Sequence, residues 1–86
     1  MDKKFLNKVV DQLVYETIID YDGEIIYIPF SNRFTPNQSH ISYLNRIFRS
    51  FNNHCKDVYG LNKDEVGYVW EEYKQIIISK IKNNGL

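Results

Sequence analysis

The stretch Tyr59-Gly60-Leu61-Asn62-Lys63-Asp64-Glu65-Val66 reads as the end of one helix and the start of the next. Gly60 can take the left-handed backbone conformation that stops a helix, and Leu61 then supplies the apolar contact that accompanies such a stop. With Asn62 as N-cap, Glu65 falls at the third helical position, where its carboxylate can reach back to the cap N–H. Leu61 and Val66 flank this cap as a hydrophobic staple. The link is only two or three residues, so the two helices are expected to be neighbours in a helical hairpin.

Downstream, Val66, Val69, Trp70, Tyr73, Ile76, Ile77 and Ile81 fall on one face of a helix from Lys63 to about Lys82, with the tail from Asn83 to Leu86 expected to fray. Upstream, Ile41, Leu44, Phe48, Phe51, Cys55 and Val58 recur at alternating spacings of three and four, a stripe that packs along another helix. Thr35-Pro36-Asn37-Gln38 suits the start of that helix, with Thr as N-cap, Pro at the first position and Gln at the third.

The first helix is read from Asp2 as cap through Phe5, Leu6, Val9, Val10 and Leu13, about three turns. Tyr15, Thr17, Ile18 and Ile19, then Ile25, Ile26, Tyr27 and Ile28 before Pro29, are β-branched and aromatic runs separated by Asp22-Gly23. That pattern is a strong signal for a type I′ hairpin. A two-residue loop would pair Tyr21 with Glu24, Ile19 with Ile26 and Thr17 with Ile28. One face of the ribbon would then show Ile19, Ile26 and Ile28, the other Ile18, Ile25 and Tyr27. The alternative is a first helix running on to Ile18, with a shorter first strand. The fold expected from the chain is α+β: an N-terminal helix, a two-stranded β-hairpin, then the helical hairpin, in one domain spanning residues 1–86.

Eighty-six residues with 43% hydrophobic and 26% charged content make one soluble globular unit. Aromatic residues, 15% of the chain, give so short a sequence the area it needs to bury. One Cys excludes an internal disulfide, and the N-terminus carries no sustained apolar run, so neither a signal peptide nor a membrane anchor is expected. The expected location is cytoplasmic, with no membrane partner.

Chemistry-bearing patterns are sparse. His40 and His54 are too far apart along one helix to share a metal ion, and His54 beside Cys55 lacks further ligands. Asp20, Asp22 and Glu24 suggest a calcium loop, but its later ligands are missing, and a solvated turn explains them. Cys55 sits on an apolar stripe, where a buried thiol is the ordinary reading rather than a nucleophile. Glu65, Glu71 and Glu72 belong to a helix whose early turns favour acids. No phosphate-binding loop, dinucleotide fingerprint or nucleophile elbow occurs. No enzyme activity, cofactor or metal is expected.

Charge is zero in total but uneven. Residues 1–24 carry net −3, residues 25–56 carry Arg33, Arg46, Arg49 and Lys56 with no acid, and residues 57–86 carry net −1. The basic middle is a candidate for phosphate or nucleic-acid contact, with Phe30 and Phe34 beside Arg33 available for stacking. Four cations are a thin footprint for a nucleic-acid binder, and a helix beginning Lys63-Asp64-Glu65 is poorly suited to enter a groove. Protein contact is favoured instead. An isolated two-stranded ribbon is marginal in water, and Ile18, Ile19, Ile25, Ile26, Tyr27 and Ile28 make both its faces apolar, which suits a homo-oligomer or docking onto a larger protein.

Ile19-Asp20-Tyr21, Ile26-Tyr27-Ile28-Pro29-Phe30, His54-Cys55-Lys56-Asp57-Val58-Tyr59-Gly60-Leu61, and Tyr68-Val69-Trp70 to Tyr73 resemble small proteins encoded by marine, T4-like bacteriophages. The absence of alanine and the abundance of Ile, Asn, Lys, Tyr and Phe fit AT-rich coding of that kind. The resemblance covers most of the chain and includes no motif of assigned role. It implies a phage accessory or host-interaction protein that acts by binding, in the host cytoplasm.

Overall fold

Asn62 Oδ1 accepts from the Glu65 N–H at 2.9 Å, and Glu65 Oε1 accepts from the Asn62 N–H at 3.0 Å, closing the reciprocal cap read from the sequence. Gly60 sits at φ 66°, ψ 31°; its N–H donates to the Lys56 carbonyl at 3.1 Å, while the Leu61 N–H donates to Cys55 at 3.2 Å. Carbonyls that a helix end leaves unpaired are thereby satisfied. Leu61 and Val66 are both buried. Asn62→Ala is expected to cost about 1 kcal/mol, because two N–H groups lose their acceptors or their geometry at once. For a chain of this size that is a drop of roughly 4–8 °C in the unfolding midpoint, and a change below about 1 °C would contradict it.

The structure, a computed structural model, describes residues 2–19, 25–30 and 47–84. Among the described residues there are three helices: α1 (Lys3–Glu16), α2 (Phe48–Tyr59) and α3 (Lys63–Asn84). Between α1 and α2 lie two short strands, β1 (Ile18–Ile19) and β2 (Ile25–Tyr27).

The described fold is all-α, and the α+β expectation with a hairpin layer is overturned. The ladder amounts to two antiparallel pairs, Ile18 with Tyr27 and Ile19 with Ile25, with a register irregularity between them. So Ile19 meets Ile25 and not Ile26 as expected. Two causes are visible. The α1 stripe of Leu6, Val9, Val10 and Leu13 is buried on one face, and this packing carries the helix through Tyr15 and Glu16 despite their strand-like neighbours. The helix ends at Thr17, whose backbone is extended (φ −86°, ψ 124°) and whose N–H donates to the Val14 carbonyl at 3.2 Å; its hydroxyl donates to the Leu13 carbonyl at 2.8 Å and lies 2.7 Å from the Tyr73 hydroxyl. Little of the run remains for a strand. The Asp22-Gly23 turn and the Tyr21–Glu24 pair fall outside the described residues.

The helices share one core. Leu6, Val9, Val10 and Leu13 from α1, Phe51 and Cys55 from α2, and Val66, Val69, Trp70, Tyr73 and Ile77 from α3 are buried together with Ile28, Phe30, Ile47 and Leu61. Tyr68 ties α3 to α1 at its rim, its hydroxyl donating to Asn7 Oδ1 at 2.9 Å. Aromatic edges fill the centre. Phe51 lies 4.8 Å from Trp70 and 5.0 Å from Phe30, and Phe30 lies 5.6 Å from Tyr73, all near the edge-to-face geometry that aromatic quadrupoles favour.

Two of the α2 expectations need correction. Phe48 and Val58, which the spacing predicts on its packed stripe, are 42% and 59% exposed, leaving Phe51 and Cys55 to face the core. Phe48 leans its ring on Trp70 at 5.3 Å from outside. The expected helix start at Thr35-Pro36-Asn37-Gln38, with Ile41 and Leu44, lies outside the described residues. On α3 the apolar face holds: Ile76 and Ile81 are partly buried against the core, and the helix continues to Asn84 rather than fraying at Asn83.

Candidate functional site

Strand alternation decides which residues of the short ribbon are available to a partner. Ile28 is buried at 3% exposure, so its side chain belongs to the core of its own chain and leaves the list of interface candidates. Ile18 and Tyr27, which face each other across the ladder, are 52% and 49% exposed. Directly opposed residues hold their Cβ atoms about 5 Å apart, so the two side chains form one continuous apolar surface. Ile19, Ile25 and Ile26 supply backbone to the ladder, and their side chains lie outside the described part.

One further exposed ring stands on α1, at a residue that the sequence reading gave to the first strand or, in the alternative of a longer first helix, to that helix. Tyr15, 83% exposed, stands on the last turn of α1, three positions before Ile18. The signal was present: extending the period of Leu6, Val9, Val10 and Leu13 past Leu13 puts residue 15 on the outer face. Other exposed apolar side chains differ. Phe5 and Val58 are single residues on separate helices, and isolated exposure of that kind is ordinary. Ile18 and Tyr27 are neighbours by register.

The basic candidates are only partly in view. Arg49 and Lys56 are exposed on α2, seven residues apart, roughly 10 Å along the axis at about 1.5 Å per residue. Arg33, Arg46 and Phe34 fall outside the described residues. Phe30, considered for base stacking, is 6% exposed with its ring held by Phe51 and Tyr73, and it is not available for that role.

The groups that invited catalytic readings have structural duties. Cys55 is fully buried, and burial pushes its thiol up to about 12, away from the reactive thiolate. His54 is half-buried between the rings of Phe30 and Tyr59, at 6.2 and 5.9 Å. Partial burial, then the nearby Glu16 carboxylate and Cys55, raise the Tyr59 hydroxyl above its ordinary value. Glu65 serves the α3 cap, while Glu71 accepts from Lys74 Nζ at 3.3 Å, which also lies 5.8 Å from the Trp70 ring. Among the described residues no three His, Cys, Asp or Glu side chains converge as a metal site would require. An open hollow of about 380 Å³ along α3 is lined by Gln75, Ile78, Ser79 and Lys82, with no carboxylate or imidazole to act as acid or base beside them. No described helix is long and apolar enough to cross a membrane.

Comparisons with family models, with curated proteins and with solved structures return no match.

Proposed function

We propose that this chain is a non-enzymatic docking module that engages another polypeptide through Ile18 and Tyr27. The observation that carries the proposal is the cross-strand pair Ile18 and Tyr27, half exposed on the outer face of the ribbon while Ile28 turns into the core. Adjacent large apolar side chains left in water have an energetic reason to be covered, at about 25 cal/mol for each Å² removed from solvent. Tyr adds area at low entropic cost and a hydroxyl for orientation, the combination common in binding surfaces. The proposal extends to an accessory or host-interaction role in the host cytoplasm, which is what the resemblance to small proteins of marine T4-like phages would imply.

Selecting a displayed library of random peptides against the wild-type chain tests this directly. Enriched peptides are expected to lose at least about tenfold in affinity for a variant combining Ile18→Thr with Tyr27→Thr, since a residue central to an interface typically contributes more than about 1 kcal/mol. Threonine keeps the strand-favouring branch while removing the apolar surface. Enriched peptides that bind the variant and the wild type alike would place the binding surface elsewhere.

A further inference from the structure

The C-terminal half of α3 carries charge of one sign. From Tyr73 to Asn84 it has Lys74, Lys80 and Lys82 and no Asp or Glu. Lys74 is engaged: Glu71 accepts from its Nζ at 3.3 Å, and the Trp70 ring lies 5.8 Å away. Lys80 and Lys82 are exposed, and neither forms an ion pair among the described residues. Gln75, Ile78, Ser79 and Lys82 follow the three- and four-residue spacing that puts side chains on one helix face, and together they line the hollow of about 380 Å³.

That wall combines two kinds of group. Ile78 is half-buried and packed against the core, so the fold itself holds the apolar part in place. Beside it stand an ammonium, a hydroxyl and a side-chain amide, all able to donate hydrogen bonds, the ammonium only to donate. An anionic head satisfies these donors, and a short aliphatic tail covers Ile78. The volume falls within the range of about 300–1,000 Å³ usual for small-molecule sites. Other occupants fit less well. A cation is repelled by Lys82, and a nucleic-acid strand needs a stacking platform, which the described wall lacks. The negative end of the α3 dipole opposes an anion with about half an elementary charge, but Lys82, in the last turn, supplies a whole one. We infer that this hollow is a binding site for a small amphiphilic anion, a carboxylate or monophosphate head on a short aliphatic tail. It uses neither residue of the docking pair.

Amide-resolved NMR of the full chain, titrated in turn with octanoate, octyl phosphate, octylamine and acetate, tests the assignment. Octanoate or octyl phosphate is expected to shift the amides of Gln75, Ile78, Ser79 and Lys82 saturably, and the tighter binder identifies the head. Octylamine and acetate should each bind at least about tenfold more weakly, one lacking the negative charge and the other the tail. Lys82→Met keeps the aliphatic stem and removes the ammonium at an exposed position, so the fold should stand while affinity drops at least about tenfold. Ser79→Phe, which fills the hollow from another exposed position, should abolish the shifts. Octylamine binding as well as octanoate, or Lys82→Met binding octanoate undiminished, would overturn the anionic head. Acetate matching octanoate would overturn the aliphatic tail. Shifts that fail to saturate, that survive Ser79→Phe, or that appear with none of the four probes at these residues would overturn the site itself.

Discussion

Phe51→Ala is expected to cost about 3–5 kcal/mol of folding stability, the range for removing a fully buried aromatic ring. Phe51 is 0% exposed, and its ring touches the rings of Phe30, Trp70 and Tyr73 from three directions. The partners belong to different parts of the chain: Phe30 follows β2, and Trp70 and Tyr73 lie on α3. Removing the ring therefore detaches α2 from both, and the close packing around it leaves little room to collapse into the space. A stability of roughly 0.05–0.15 kcal/mol per residue is usual, which for this length is about 4–13 kcal/mol, so the substitution removes a large share. Urea unfolding gives the check. Phe51→Leu, which refills much of the space, should cost clearly less than Phe51→Ala, and a cost for Phe51→Ala below about 1 kcal/mol would mean the aromatic centre is not formed.

The second large effect is alkaline. Burial raises the Cys55 thiol from 9.0 to about 12, so the folded chain keeps a proton that the unfolded chain releases above pH 9. The unfolded state then binds fewer protons, and stability falls as pH rises from about 9 towards 12, at up to about 1.4 kcal/mol per pH unit. Below pH 9 the contribution is fully present. Tyr59, raised in the same direction, adds to the decline at the upper end of the window. Unfolding free energies measured from pH 8 to 11 should slope downward in the wild type and less steeply in Cys55→Ala. The native thiol should also resist alkylation until the chain opens. Rapid alkylation under native conditions, or identical slopes for the two proteins, would show that Cys55 is accessible.

Local chemistry made the α2–α3 junction legible from the residues alone. Gly60, Asn62, Glu65 and the Leu61–Val66 staple act within a few positions of one another, so nothing distant could override them. The α3 stripe was legible for a related reason: a helix of 22 residues repeats its period many times. The region around β1 and β2 was not, because helix and strand preferences compete from Tyr15 to Ile19. Where the helix ends, the Thr17 hydroxyl meets that of Tyr73, 56 residues away, a contact for which no sequence signal exists. Phe48, Val58 and Phe30 show the same limit. Periodicity identified apolar positions, but which of them faces the core depends on where other elements arrive. Of the interface candidates, alternation correctly separated Ile28 from Ile18 and Tyr27 without saying which side would face inward.

The docking account requires Ile18 and Tyr27 to serve a partner rather than their own fold, and one variant measured in two ways tests that requirement. In the Ile18→Thr and Tyr27→Thr double variant, unfolding stability is expected to stay within about 0.5 kcal/mol per substitution, as at exposed positions generally. Affinity for a peptide selected on the wild type should fall at least about tenfold, or about 1.4 kcal/mol. A variant that loses several kcal/mol of stability, or one that remains stable and binds the peptide undiminished, would contradict the account.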